Sequence, residues 1–192
     1  MGRPKQFDPD VAADKAVEVF WGKGFGGTTP QDLVDALGIC KGSLYNAFSS
    51  KHELFTRVLR RYADEQATAL TEFLTAPGPV RPRLQKALRL IMNMNLADSG
   101  RRGCLAVNTA AEIGQADAQT AAHVQRMFDR TEAAFEAAVI EGQSNGELAR
   151  SADPKAIASL LLTTVVGMQV MVKSSPDTDR LHRVVDALLA TI

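Results

Sequence analysis

The chain has 192 residues, of which 45% are hydrophobic and 23% charged. That is enough to bury a core without staples and too apolar for disorder to be the main state. Lys plus Arg and Asp plus Glu number 22 each, so bulk charge alone points to no nucleic-acid or membrane-surface role.

Cys40 and Cys104 lie far apart and make no disulfide framework. The start, Met1-Gly-Arg-Pro-Lys, leads into polar residues and does not read as a signal peptide. The most apolar stretch, Ile157 to Val172, carries Ser159, Thr163, Thr164 and Gln169, and is shorter than the roughly 20 residues of a membrane span. The expectation is a soluble protein of a reducing cytoplasm, with no membrane partner.

Apolar positions recur at three- and four-residue spacing from end to end, and no segment alternates with the period of a strand. The fold class expected is all-α, with about nine helices. Asp8-Pro9 offers an N-cap and a first-turn proline for the first helix. Ala12, Ala16, Val19 and Phe20 give it a buried face, and Gly24 is its expected left-handed cap. Thr29-Pro30-Gln31-Asp32 reads as a capping box opening a second helix, which buries Leu33, Val34 and Leu37 and stops at Gly38. A tight turn leads to a short third helix, Lys41 to Phe48. Ser50-Lys51-His52-Glu53 then caps a fourth helix running to about Leu74. Pro77, Gly78, Pro79 and Pro82 break the chain. Beyond them come helices from about Arg83 to Ala97, Cys104 to Ile113 and Ala116 to Ser144. A very apolar helix follows from Asp153-Pro154 to Lys173, and a last amphipathic helix ends at Ile192. The expected organisation is an N-terminal unit over 1–50, a linking helix over 51–74, and a C-terminal unit over 75–192.

Two short helices joined by a glycine turn and braced by a third describe a helix-turn-helix, whose task is to present one helix to the major groove. On a helical wheel Leu44 and Phe48 face inward, which leaves Gly42 and Asn46 outward, flanked by Ser43 and Tyr45. Gly42 permits close backbone approach. Ser43 and Asn46 can read base edges, and Asn pairs well with adenine. Lys41 can reach a guanine edge or a phosphate, and the Tyr45 hydroxyl a phosphate oxygen. Lys51 sits at a helix N-terminus, where an anion is favoured. Thr29 and Gln31 open the second helix, and Arg3 and Lys5 form a basic arm for the DNA backbone. Residues 1–62 hold nine Lys and Arg against seven Asp and Glu, so placement must matter more than net charge. The competing reading is a helical hairpin that merely packs.

At these positions the sequence resembles the TetR family of bacterial transcriptional regulators. The resemblance runs through Ala16-Val17-Glu18-Val19-Phe20, Gly24-Phe25, Thr28-Thr29, Asp32-Leu33 and Ala36-Leu37-Gly38-Ile39. It continues through Lys41-Gly42-Ser43-Leu44-Tyr45-Asn46-Ala47-Phe48 and Ser50-Lys51-His52-Glu53-Leu54. It implies an all-helical homodimer that binds a palindromic double-stranded operator through its N-terminal unit. It further implies a repressor released by a small molecule held in the C-terminal unit, with no enzymatic activity and no cofactor. Cys40 departs from the small polar residue usual there, and a thiol is a poor N-cap.

The second half names no ligand. Cys104, Asn108 and Glu112 are four apart on one helix face and could form a polar pocket wall, or could serve neighbouring helices. Met92, Phe128, Phe135 and Met168 are candidate apolar lining, or plain core. Cys104 follows Arg101 and Arg102 at a helix start, a setting that favours thiolate and suggests an alternative redox or electrophile sensor. A small helical enzyme using Glu112 and Asn108 is the reading from another class, with no nucleophile–base pair behind it. His52, His123 and His182 lack the paired spacing of a metal motif.

Overall fold

The computed structural model describes residues 8–174 and 177–192. Among them the chain forms α1 (Pro9–Gly27), α2 (Pro30–Leu37), α3 (Lys41–Phe48), α4 (Lys51–Leu74), α5 (Val80–Ala97), α6 (Leu105–Ile113), α7 (Ala118–Ser144), α8 (Pro154–Met171) and α9 (Thr178–Thr191), with no strand. Helix starts follow local chemistry. Asp8, Thr29 and Asp153 each accept an amide two or three residues on, ahead of a first-turn proline. Thr29 and Asp32 form the full reciprocal box, and Ser50 takes the Glu53 amide.

Several boundaries differ from expectation; α6 begins one residue late, at Leu105, and α8 ends two residues early, at Met171. α5 begins at Val80, so Pro82 lies inside its first turn. The amides there have no helical partner, and a missing one costs nothing; the Arg81 amide donates to Glu147 Oε2 at 3.1 Å instead. α7 begins at Ala118, because Asp117 accepts the amides of Gln119 and Thr120. At Gly24 the backbone leaves helical geometry at φ 73°, ψ 175°, but the chain makes one more turn through Gly27 before it stops. The expected cap is thus a kink.

The buried side chains form two cores. The first joins α1 to α3 with the first half of α4, around Phe20, Leu33, Leu44, Phe48 and Phe55, and it takes in Leu105, Val107 and Val124 from α6 and α7. The second is built by the end of α4 with α5, α7, α8 and α9, around Leu84, Leu88, Phe135, Leu161 and Val185. α4 spans both. The N-terminal unit is therefore not closed on itself: α6 completes its core.

Candidate nucleic-acid interface and ligand cavity

α3 turns Leu44 and Phe48 into the first core and leaves Lys41, Gly42 and Asn46 exposed, with Ser43 and Tyr45 half-buried beside them. The turn before it is set by Gly38 at φ 67°, in left-handed geometry. A Cβ added at Gly42 would meet nothing within 4 Å, so no packing inside the described chain requires glycine there. Cys40 gives α3 no side-chain cap. Its exposed Sγ lies 3.2 Å from Ser43 Oγ, and the Ser43 hydroxyl holds the thiol below its ordinary value.

Other candidate DNA contacts are engaged within the fold. Gln31 donates to Asp35 Oδ1 at 2.7 Å, and the Thr29 hydroxyl donates to Asp32 Oδ2 at 2.8 Å. Lys51, expected at a phosphate, is engaged in the same way. Its ammonium donates to the carbonyls of Phe25 at 2.8 Å and Thr28 at 2.9 Å, 4.3 Å from the centre of the Phe25 ring. A cation satisfies the unpaired carbonyls of a helix C-terminus. Arg3 and Lys5 lie outside the described residues.

The same turn is held from its other side by Glu112. Its carboxylate accepts the Phe25 amide at 3.0 Å and the Gly26 amide at 2.7 Å. The approach is so close that a Cβ on Gly24 would sit 2.7 Å from Oε2. Asn108 is committed as well, donating to the Arg102 carbonyl at 2.8 Å and accepting from Lys173 at 2.8 Å. Both residues line a cavity of about 460 Å³ between α1 and α6, where the carboxylate wanted by the enzyme reading is holding backbone; neither lines a second, more apolar cavity.

This apolar cavity, of about 250 Å³, is lined by α1, α4, α5, α7, α8 and the link before α6. Cys104 and Phe128 line it as expected. Met92, Phe135 and Met168 do not; all three are buried in the second core, filling the inward stripes of α5, α7 and α8. The Cys104 thiol is buried and accepts from the Tyr62 hydroxyl at 3.5 Å. Burial pushes the thiol above its ordinary value. Burial therefore argues against the reactive-thiolate expectation, because loss of water disfavours the charged form.

Sequence reasoning missed Trp21, Tyr62, Gln66, Asn95, Asp98 and Gln169 in the same wall. One signal was present: Trp21 is the sole tryptophan, and it stands beside the Ala12, Ala16, Phe20 stripe of α1, not on it.

Residues 13–58 match the tetR family of bacterial regulatory proteins, and residues 82–188 match the tetracyclin repressor-like C-terminal domain. The chain is 31% identical to the uncharacterized HTH-type transcriptional regulator YezE of Bacillus subtilis (strain 168), over the whole of both. It is 27% identical to the HTH-type transcriptional repressor ComR of Escherichia coli (strain K12), over 98% of this chain and 90% of ComR. A solved cysteine-substituted variant of the TetR-family regulator CifR, complexed with 26-bp double-strand operator DNA, superposes with a TM-score of 0.85 at 28% identity, covering 98% of each chain. With its outward-facing α3 and its closed helical second half, the chain belongs to the TetR family of helix-turn-helix transcriptional regulators.

Proposed function

We propose that the protein is a repressor that binds a palindromic operator as a homodimer and is released when a small molecule enters the α1–α4–α5–α7–α8 cavity. The observation that carries the reading is the α3 face: an exposed Lys41, Gly42 and Asn46 backed by a buried Leu44 and Phe48. CifR, bound to operator DNA, and ComR, named a repressor, support it. The working division is a DNA-binding unit to residue 50, α4 as lever over 51–74, and a sensing unit from 75. Its place of work is the cytoplasm, where operator DNA is found.

Paired half-sites call for paired recognition helices, about 34–36 Å apart. The apolar α8 supports a second copy. It is long and apolar enough to cross a membrane by length and composition, yet it buries only one side, and Leu160 and Val170 remain exposed. Its packing against α7 and the second core favours reading that uncovered side as a dimer face.

The test is binding of the purified protein to the DNA upstream of its own coding region and to random DNA, at two salt concentrations. Selective binding by a dimer is expected. Asn46→Ala should cost about 1–3 kcal/mol on the selected site and little on random DNA. Equal losses on both would remove Asn46 from base readout, and no selectivity on any genomic fragment would remove the repressor reading.

A further inference from the structure

Trp21 belongs to α1 of the DNA-binding unit, yet its indole forms part of the cavity wall. The indole Nε1 donates to the Gly103 carbonyl at 3.1 Å. The Arg102 guanidinium lies 4.3 Å from the centre of the indole ring. That guanidinium bridges Glu18 of α1, at 2.7 Å, and Asp98 at the end of α5, at 3.0 Å. The link carrying these groups has no slack against α8: a Cβ on Gly103, at φ +69°, would come within 2.4 Å of the Gln169 carbonyl. A molecule in the cavity therefore touches α1 and the 98–104 link together.

The wall also restricts the chemistry of that molecule. Asp98 is its one acidic side chain. Its carboxylate is already taken by the Arg102 backbone amide at 2.7 Å and by the guanidinium nitrogens at 3.0–3.2 Å. The Tyr62 hydroxyl is spent on Cys104. The hydrogen-bonding groups left over are uncharged: the Gln66 and Gln169 amides and the hydroxyl of the buried Thr131. None of these three side chains has a hydrogen bond among the described residues. The remaining wall is apolar, with Leu70, Phe73, Met94, Met127 and Phe128. The wall is open to solvent at Gln66, Leu90 and Met94, but a mainly apolar wall without a spare counter-charge disfavours an ion and accepts an apolar body with one or two neutral polar groups. At about 250 Å³ the space is smaller than the roughly 300–1,000 Å³ of drug-sized sites, so the occupant has on the order of ten heavy atoms.

From this we infer that the cavity takes a small, neutral, mainly apolar molecule, and that Trp21, with its Arg102 bracket, carries its arrival directly to α1. The inference rests on the ligand-released reading above and adds the ligand class and the residue that reads it. Displacement of the indole strains the Gly103 bond and the Glu18–Arg102–Asp98 bridge. α1 packs on α2 and α4, so its shift reorients α3.

With one tryptophan in the chain, all tryptophan emission reports on Trp21. The full chain is titrated at pH 7.5 with 1-octanol, octanoate and octylammonium, which share a chain length and differ in charge. Emission is followed in parallel with operator affinity. Octanol is expected to shift the emission saturably and to weaken operator binding, with both ions at least tenfold weaker. In Trp21→Phe, and separately in Arg102→Gln, octanol binding measured by calorimetry persists. The octanol-induced drop in operator affinity, taken as a ratio for each variant, falls below one third of the original ratio. Tighter binding of either ion, or no saturable binding of octanol, overturns the ligand class. Octanol binding without a change in operator affinity, or an undiminished ratio in both variants, overturns the role of Trp21. A chain that binds no operator would sink the repressor reading, and the emission titration would still decide the ligand class.

Discussion

Glu112 is where the structure departs most usefully from a local reading, and Glu112→Ala tests the new role. The substitution removes two charge-assisted hydrogen bonds, to the amides of Phe25 and Gly26. Such bonds contribute about 1.5–3 kcal/mol each when shielded. Glu112 is exposed, and both amides can turn to water, so the pair is worth about 1–2 kcal/mol in all. Two terms work against even that. Alanine is the better helix former by a few tenths of a kcal/mol. The carboxylate also sits in the last turn of α6, where the helix dipole disfavours it. A net loss of about 1 kcal/mol lowers Tm by about 2–4 °C for a chain of this size. A double-mutant cycle sharpens the test. Gly24→Ala drives a Cβ to 2.7 Å from Glu112 Oε2, on top of the strain at φ +73°. It should therefore cost measurably less in the Glu112→Ala background than alone. Thermal melts followed by circular dichroism read all four proteins. Equal costs for Gly24→Ala in both backgrounds, with Glu112→Ala melting like the parent, would refute the brace. Lost ligand response in a Glu112→Ala protein of unchanged Tm would restore the carboxylate to a ligand site.

Three further expectations follow from the same geometry. Gly42→Ala should leave folding stability equal or raise it by up to about 1 kcal/mol, because the new methyl meets nothing and alanine is the better helix former. Operator affinity should fall at least tenfold, about 1.4 kcal/mol, and unchanged affinity in a filter or anisotropy assay would show that the α3 backbone stands off the groove. Lys51→Met keeps an apolar stem over Phe25 but loses both carbonyl bonds, so Tm should drop while the slope of log affinity against log salt stays put; a slope reduced by about 0.9 would mean that Lys51 holds a phosphate after all. At the start of α7, the Thr120 hydroxyl, with His52 beside it, holds the Asp117 carboxyl down to about 2 from its ordinary 3.8. A lowered value means that the ionised form stabilises the fold above about pH 4 and that this contribution is lost as pH falls from 3.8 through about 2. The Tm difference between the parent and Asp117→Asn should shrink across that window, and a difference constant from pH 5 to 2 would remove Asp117 from the acid response.

What could be read from the sequence is what depends on neighbours within a few residues. Asp8, Thr29 and Asp153 announce helix starts because a cap reaches two or three residues on and the proline after it needs no amide. The inward pair Leu44 and Phe48 follows from helical geometry alone. Lys51 and Glu112 were equally visible as charged groups at helix ends, but their partners lie 23 to 87 residues away. Periodicity cannot choose between an outside partner and a distant carbonyl. The cavity was hidden for a related reason. It opens where five helices fail to close, and its wall is drawn from positions beside the buried stripes. Trp21 therefore reaches it, while Phe135 and Met92, central on their stripes, vanish into core. Three charged residues share one arrangement. Glu112 holds the Phe25 and Gly26 amides from α6, Lys51 holds the Phe25 and Thr28 carbonyls from α4, and Arg102 holds Glu18 from the link. α1 is thereby gripped near both its middle and its end by elements that also border the cavity or complete its core. A shift of α6 or of the 98–104 link therefore bears on α1 as well as on α4, and α1 is the helix on which the helix-turn-helix rests.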